Sequence, residues 1–274
     1  MTLKKCEHLV LSSGGLKAYA FLGSCKKLDL SELKSISGSS AGSLLGLMLS
    51  LNRDIETVIE YSSREDNIFI KKEDINIRYF MTNYGVNDGS RIITVAENAC
   101  ENFVGKRRVT FKELFEYSGI HFYITVSNMS KKKRIVYSHV ETPDMDVVTA
   151  VRMSTAVPFY FNSVVHEGDH YIDGALFSPE PYEPILKYHD PKPDNAVLIR
   201  TKNDEIKEVK SILDYIISFV DMIVHIISTP NVNLNEKFTC IDVETTNIPF
   251  ISHEFTKANI DECIERGESC YNNV

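Results

Sequence analysis

The sequence carries no excess of positive charge: 30 Lys and Arg stand against 38 Asp and Glu, a formal net charge of −8. Nucleic-acid binders concentrate positive charge, so that class of partner is not expected. Strong electrostatic attachment to anionic membranes is disfavoured for the same reason. The short basic runs Lys106 to Arg108 and Lys131 to Arg134 read as solvated loops. C-x-x-C pairs are missing too. The six cysteines (Cys6, Cys25, Cys100, Cys240, Cys263 and Cys270) are scattered, without the spacing of zinc or redox sites, as suits idle thiols in a reducing compartment. No apolar run is clean enough to span a bilayer. The most apolar, "ILDYIISFVDMIVHIISTP", is broken by Asp214, Asp221 and His225, which are costly at a membrane centre. It reads as an amphipathic helix packed on the domain. The opening "MTLKKCEHLVLSSGG" has no apolar stretch of signal-peptide length. The expectation is a cytoplasmic protein, with peripheral membrane contact as the lesser reading.

What is present is an ordinary globular balance, 43% hydrophobic and 25% charged over 274 residues, enough for a sizeable core. "HLVLSS" is a short β-rich run ending in Gly14-Gly15, and the helical spacing of Ala18, Phe21, Leu22, Cys25 and Leu28 follows it. "LKSIS" is a second strand candidate, and Gly42 to Leu51 is apolar nearly all round, the mark of a buried helix. Strand, turn, helix, strand, turn, helix implies right-handed crossovers and a parallel sheet. Further on, Thr110 reads as a helix cap and Gly119 as a stop, and Thr142-Pro143-Asp144 as another helix start. A hairpin is expected about Glu167-Gly168-Asp169, then a strand at "AVLIR", a helix over Ile212 to Ile227, a strand at "TCIDVE", and a last helix stopped by Gly267. No repeat, low-complexity segment or linker divides the chain. One α/β domain over residues 1–274 is the economical reading, with a motif-bearing core over about 8–200 and the elements of about 211–267 packed on it.

Three stretches have the makings of a site. Gly38-Ser39-Ser40-Ala41-Gly42 fits G-x-S-x-G, in which a serine on a sharp strand-to-helix turn exposes its hydroxyl. The flanking positions must be glycine because the crossing backbone leaves no room for Cβ. The amides at the start of the next helix favour developing negative charge. In "LSSGGLKAYAFLG", Gly14 and Gly15 follow a strand and precede a helix, so their amides read either as an ordinary tight turn or as the lining of an anion site. In acyl transfer that anion is the oxyanion of the tetrahedral intermediate. A serine hydroxyl needs a base. "HYIDGALFSPEP" ends a strand in Asp173-Gly174-Ala175, where an aspartate is either a turn former or that base. The small residues and Pro158 of "AVRMSTAVPFYFNSV" suggest close packing near a site.

Taken together, "SGGLKA", "GSSAG", "AVRMSTAVPFYF" and "DGA" resemble, in order, the motifs of the patatin-like phospholipase family. The resemblance runs from His8 to about Gly267 and is far more specific than any one motif. It implies a three-layer α/β/α fold with a mainly parallel sheet and a serine-aspartate dyad, with Ser40 as nucleophile and Asp173 as base. It also implies an oxyanion hole from the Gly14, Gly15 and Leu16 amides with Lys17 at the loop's basic position, Gly38 and Gly42 as elbow glycines, and Gly174 and Ala175 as the acid motif. The implied substrates are lipid acyl esters, without metal or diffusible cofactor. The chain departs from the family pattern at Ser13 and Ala18, where glycines are usual, and in "FSPEP" after the aspartate.

Two other readings stay open. One is a Ser-His-Asp esterase or thioesterase, for which His189, His225 and His253 follow Asp173 in the required order. The other is a lipid- or protein-binding module on the same scaffold. A carboxylate base, with an ordinary pKa of about 4 against about 6.5 for imidazole, predicts activity that persists on the acid side of neutrality. Burial beside the serine must raise its proton affinity.

Overall fold

Four consecutive strand residues with no exposed member, His8–Leu11, must be covered on both faces, and such a strand belongs inside a sheet between helical layers. The computed structural model puts them there; it describes residues 3–68, 70, 77–202, 209, 212–227, 233–248, 250–251 and 255–270. The central sheet has eight strands among the described residues. In chain order they are β1 (His8–Leu11), β2 (Ser35–Ser39), β3 (His121–Asn128), β4 (Lys133–Tyr137), β5 (Val164–His166), β6 (Asp169–Ile172), β7 (Ala196–Lys202) and β8 (Thr239–Glu244). The spatial order is β8-β7-β1-β2-β3-β6-β5, with β4 on the other edge of β3. From β8 to β3 all pairs are parallel. Strands β4 and β6 are antiparallel to β3, and β5 is antiparallel to β6. The expected mainly parallel sheet is present.

Strand alternation divides the side chains between two layers. Leu9, Leu11, Phe122, Ile124, Val197 and Ile199 enter the larger core, while Val10, Tyr123, Ala196 and Leu198 face a smaller one closed by Ile185 and Phe238. The helices are α1 (Tyr19–Cys25), α2 (Ala41–Leu51), α3 (Ile55–Ser62), α4 (Ile77–Asn83), α5 (Ser90–Val104), α6 (Phe111–Ser118), α7 (Val147–Ser154), α8 (Glu183–Tyr188), α9 (Ile212–Ile227) and α10 (Lys257–Cys270). Helix α8 covers the smaller core, whereas α1, α2, α5, α7 and α10 fill the larger. Every residue of α2 is buried, as its all-round apolar sequence requires. Each large side chain fully removed from water there contributes about 1.5–3 kcal/mol before entropy is counted.

Several local expectations hold. Thr110 and Glu113 form a capping box, and Gly119 ends α6 at φ 70°. Glu167 and Gly168, both at positive φ, turn the β5–β6 hairpin. Two expectations need correction. Helix α7 begins after Asp146, whose carboxylate caps Thr149 N–H at 2.6 Å, and not at Thr142-Pro143-Asp144. Gly267 does not stop the last helix, which continues to Cys270. A Cβ on Gly267 would lie 1.8 Å from the Ala20 carbonyl oxygen of α1, so this glycine serves helix–helix approach and not termination.

Candidate active site

Strand β2 ends at Ser39 and α2 begins at Ala41, so Ser40 alone makes the turn between them. Its φ of 53° and ψ of −131° lie outside the regions a residue with a Cβ normally occupies. That strain is characteristic of a nucleophile elbow, where the hydroxyl is thrust out at the strand's carboxyl end. A Cβ on Gly42 would lie 2.4 Å from the Leu11 and Ser12 carbonyl oxygens, and one on Gly38 would lie 2.6 Å from the Gly42 carbonyl. The elbow closes against the end of β1 only with glycine at both places.

The sheet register explains why Asp173 meets Ser40. Strand β2 runs along one edge of β3 as far as Ser39, opposite Thr125. Strand β6 comes the other way along the same edge, with Ile172 opposite Ser127. One more residue on each brings Ser40 and Asp173 head to head beside Val126. Ser40 Oγ donates to Asp173 Oδ2 at 2.6 Å, and Asp173 Oδ1 accepts from Ala175 N–H at 2.9 Å. The aspartate backbone is held as well: its N–H donates to Ala156 C=O at 2.9 Å, and its C=O accepts from Ser127 Oγ at 2.7 Å. Gly174 is required beside it, because a Cβ there would lie 2.2 Å from the Thr125 carbonyl oxygen.

Both side chains are buried. Burial pushes the Asp173 carboxyl up to about 7, while the hydrogen bonds from Ser40 and Ala175 pull the other way without cancelling it. A carboxylate poised at neutrality is a far better proton acceptor than one near its ordinary value. The acid-side activity expected of an ordinary carboxylate is therefore not what this site predicts: its acid limb falls at about the pH where an imidazole's would.

The glycine loop abuts the elbow: Gly15 and Ser40 line one small cavity, and Ser13 and Asp173 line another. Gly15 has φ +53°, a conformation open to glycine. Of the amides assigned to an oxyanion hole, that of Leu16 donates instead to Phe250 C=O at 2.9 Å, and the neighbouring Lys17 amide donates to Gly14 C=O at 3.1 Å. Among the described residues, the amides of Gly14 and Gly15 have no protein acceptor. Lys17 lines a separate cleft of about 330 Å³ with Arg200, Lys202, Glu180 and Asp242, so its surroundings carry both signs of charge. The cavity at Ser40 is only about 20 Å³, close to the roughly 10–15 Å³ that admits a single water. Phe250 lines all three spaces.

The sequence matches the model of the patatin-like phospholipase family over residues 9–186, which is more than half of the chain. The chain belongs to the patatin-like phospholipase family. Among its relatives, the "Probable lipid hydrolase 463L" of Invertebrate iridescent virus 6 is 25% identical over 198 residues, 69% of this chain and 66% of that protein. Protein R571 of Acanthamoeba polyphaga mimivirus is 27% identical over 175 residues, 62% of this chain and 58% of its own length. The match thus spans just under two thirds of one relative and less of the other. In fold, the chain is similar to VipD from Legionella pneumophila, with TM-score 0.58, 13% identity, and 98% of this chain and 66% of that one covered. It is similar also to the type III effector ExoU, with TM-score 0.52, 16% identity, and 99% and 53% covered.

Within this patatin-like site no histidine stands between Ser40 and Asp173, whose near oxygen takes the hydroxyl directly. His189 lies elsewhere, its Nε2 3.1 Å from Tyr123 OH and its ring against those of His8 and His121. Burial lowers its pKa to about 4, with the neighbouring His8 and His121 acting in the same direction. His225 lines the cleft of Lys17, and His253 lies outside the described residues. The segment "AVRMSTAVPFYF" proves to be the brace of the site. Ser154 Oγ accepts from Ser40 N–H at 2.9 Å and donates to Thr125 C=O at 2.7 Å, and Ala156 holds Asp173. Sequence reasoning placed this segment near the site without finding those two roles, and it missed Ser127 and Phe250 altogether. Ser154 sits at the motif's serine position, which was the available signal; Phe250 lies in no motif.

Proposed function

We propose that this protein hydrolyses lipid acyl esters, with Ser40 as nucleophile, Asp173 as its base, and the Gly14 and Gly15 amides as the oxyanion hole. The observation that carries the reading is the direct 2.6 Å hydrogen bond from Ser40 to a buried carboxylate whose pKa is raised to about 7. As Ser40 Oγ attacks the ester carbonyl carbon, its proton passes to Asp173 Oδ2 and the carbonyl electrons move onto the oxyanion. Collapse breaks the ester C–O bond, and the departing alkoxide takes the proton from Asp173. Water then attacks the acyl-enzyme, losing its proton to Asp173; the fatty acid leaves and Ser40 regains the proton. The loop amides stabilise both tetrahedral intermediates, and losing one such donor typically costs on the order of 100- to 1000-fold. Lys17 is assigned to the loop's outer side, toward the head group of the ester, because it lines the neighbouring cleft.

Labelling with a fluorophosphonate tests the reading before any natural substrate is known. The protein should be modified once, on Ser40, and Ser40→Ala should abolish both labelling and short-chain ester turnover while folding normally. His189→Gln and His225→Gln should keep most of the turnover. Label on Ser39 or Ser43 would overturn the assignment of Ser40, and none at all on the folded protein would overturn it in favour of a binding module.

A further inference from the structure

The cavity at Ser40 takes its walls from three separate elements: Ile92 from α5, Thr155 and Val157 from just past α7, and Phe161 from the strand Phe159–Phe161. One side chain joins all three. Arg152, on α7, is 3% exposed, and its Nη2 donates to Asp88 C=O at 2.9 Å, to Asn162 C=O at 3.0 Å and to Asn162 Oδ1 at 2.8 Å. Asp88 and Gly89 lead into α5, and a Cβ on Gly89 would lie 2.1 Å from Arg152 Nε. Asn162 follows Phe161, whose ring centre is 5.3 Å from Arg152 Cζ. The N–H of Asn162 donates in turn to Asn87 C=O at 3.2 Å, and strand Gly85–Asn87 pairs with Phe159–Phe161. The guanidinium thus ties the start of α5 and the end of strand Phe159–Phe161 to α7, without itself lining the cavity.

Filling space does not explain this arrangement. All three acceptors are neutral, and Asp88 turns its carboxylate to Ser90 N–H at 2.8 Å. Among the described residues Arg152 Nη1 has no hydrogen-bond partner. Burial pulls the guanidinium down to about 10, with Asp88 and Tyr79 opposing it. A buried charge without a counterion opposes folding, and an apolar side chain of similar volume is often no worse for stability. What such a side chain lacks is the planar fork of donors that brings groups of two other segments to one nitrogen. We propose that Arg152 is a positioning residue of the acyl pocket: by fixing α5 and strand Phe159–Phe161 against α7, it sets the wall that selects the acyl chain of the ester. The assignment rests on the acyl-ester reading of the site. It makes the grip on each methylene depend on a side chain that touches neither Ser40 nor Asp173.

The test reads a ratio, kcat/KM on p-nitrophenyl octanoate over kcat/KM on the butyrate. Loss of folded enzyme scales both esters alike and leaves the ratio where it was. The parent should favour the octanoate, because the wall holds its additional methylenes. In Arg152→Met the ratio should fall on the order of tenfold, the value of one well-held methylene. The fall should lie in KM for the octanoate more than in its kcat, as expected when uniform binding is lost. Asn162→Ala removes one acceptor and keeps the guanidinium. Its ratio should fall in the same direction by less, and it decides the question where Arg152→Met does not fold. A parent that turns over the two esters equally well, or variants that slow both esters alike, overturns the proposal. Where fluorophosphonate labels Ser40, either result bears on the acyl wall alone. An unlabelled Ser40 in the folded parent would overturn the acyl-ester reading and this proposal with it.

Discussion

Replacing Asp173 by asparagine should move activity and stability in opposite directions. The side chain keeps its shape and loses its charge. The carboxyl has an ordinary value of 3.8 and is raised by burial to about 7 in the folded protein. Between those pH values the folded state keeps a proton that the unfolded chain has released, so the carboxyl's contribution to stability falls as pH rises. Above about pH 7 the loss is complete, and the rise from 3.8 to about 7 sets it at no more than about 4 kcal/mol. With Asp173 only 2% exposed, solvent screening does little to reduce it. The amide accepts from Ser40 less strongly than a carboxylate, which returns part of the gain and leaves about 2 kcal/mol. At about 2–4 °C per kcal/mol for a chain of this size, Asp173→Asn should raise Tm at pH 8 by about 4–8 °C. Near pH 4 the gain should nearly vanish, because pH is then close to the unfolded chain's value of 3.8 and ionisation has barely begun to favour the unfolded state. Ester turnover and fluorophosphonate labelling should be lost throughout. The assay is thermal unfolding by circular dichroism at pH 8, 6 and 4 beside labelling of the same samples. A variant less stable than the parent by the same margin at all three pH values would refute the reasoning, since the carboxylate would then bear no desolvation cost and have no raised pKa.

For the intact enzyme, kcat/KM on a neutral soluble ester should be flat above about pH 7, where Asp173 is ionised, and fall about tenfold per pH unit below it. The midpoint should barely move with temperature, as carboxyl ionisation carries little heat; a plateau reaching pH 5 contradicts the raised pKa of Asp173, and a midpoint that drops on warming as imidazole's does contradicts the carboxylate base. Ser154→Ala strands the Ser40 amide and the Thr125 carbonyl, so about 1–3 kcal/mol of stability should go; kcat should fall more than KM rises, and unchanged kcat would remove Ser154 from the brace. Gly42→Ala puts a methyl 2.4 Å from two carbonyl oxygens and should abolish labelling or soluble expression. By contrast Gly105→Ala, at φ +77° with open space around it, should cost only about 1 kcal/mol; equal effects of the two would show that crowding at the elbow is not the reason for its glycine.

The parallel sheet was legible in the sequence because a strand buried on both faces, such as His8–Leu11, and a helix buried all round, such as α2, have no polar face to leave in water. The elbow was legible for a similarly local reason: Gly38, Ser40 and Gly42 are close in the chain, and the steric demand that selects them acts between neighbours and the adjoining strand. Asp173 was marked by its motif, but its pairing with Ser40 came only as what the family resemblance implies, since the two residues lie 133 positions apart. Only the register of β2 and β6 along one edge of β3 brings them head to head. Gly267 misled for the same reason. A glycine near a helix end reads locally as a stop, and only the approach of α1 shows that it makes room for a carbonyl. Other properties belonged to the assembled structure alone. The carboxyl's rise to about 7 comes from burial by distant segments. The engagement of the Leu16 amide comes from Phe250, more than two hundred residues away. Sequence dictates what neighbours along the chain must do; depth, dielectric and which hydrogen bonds are already taken are set by what folds on top.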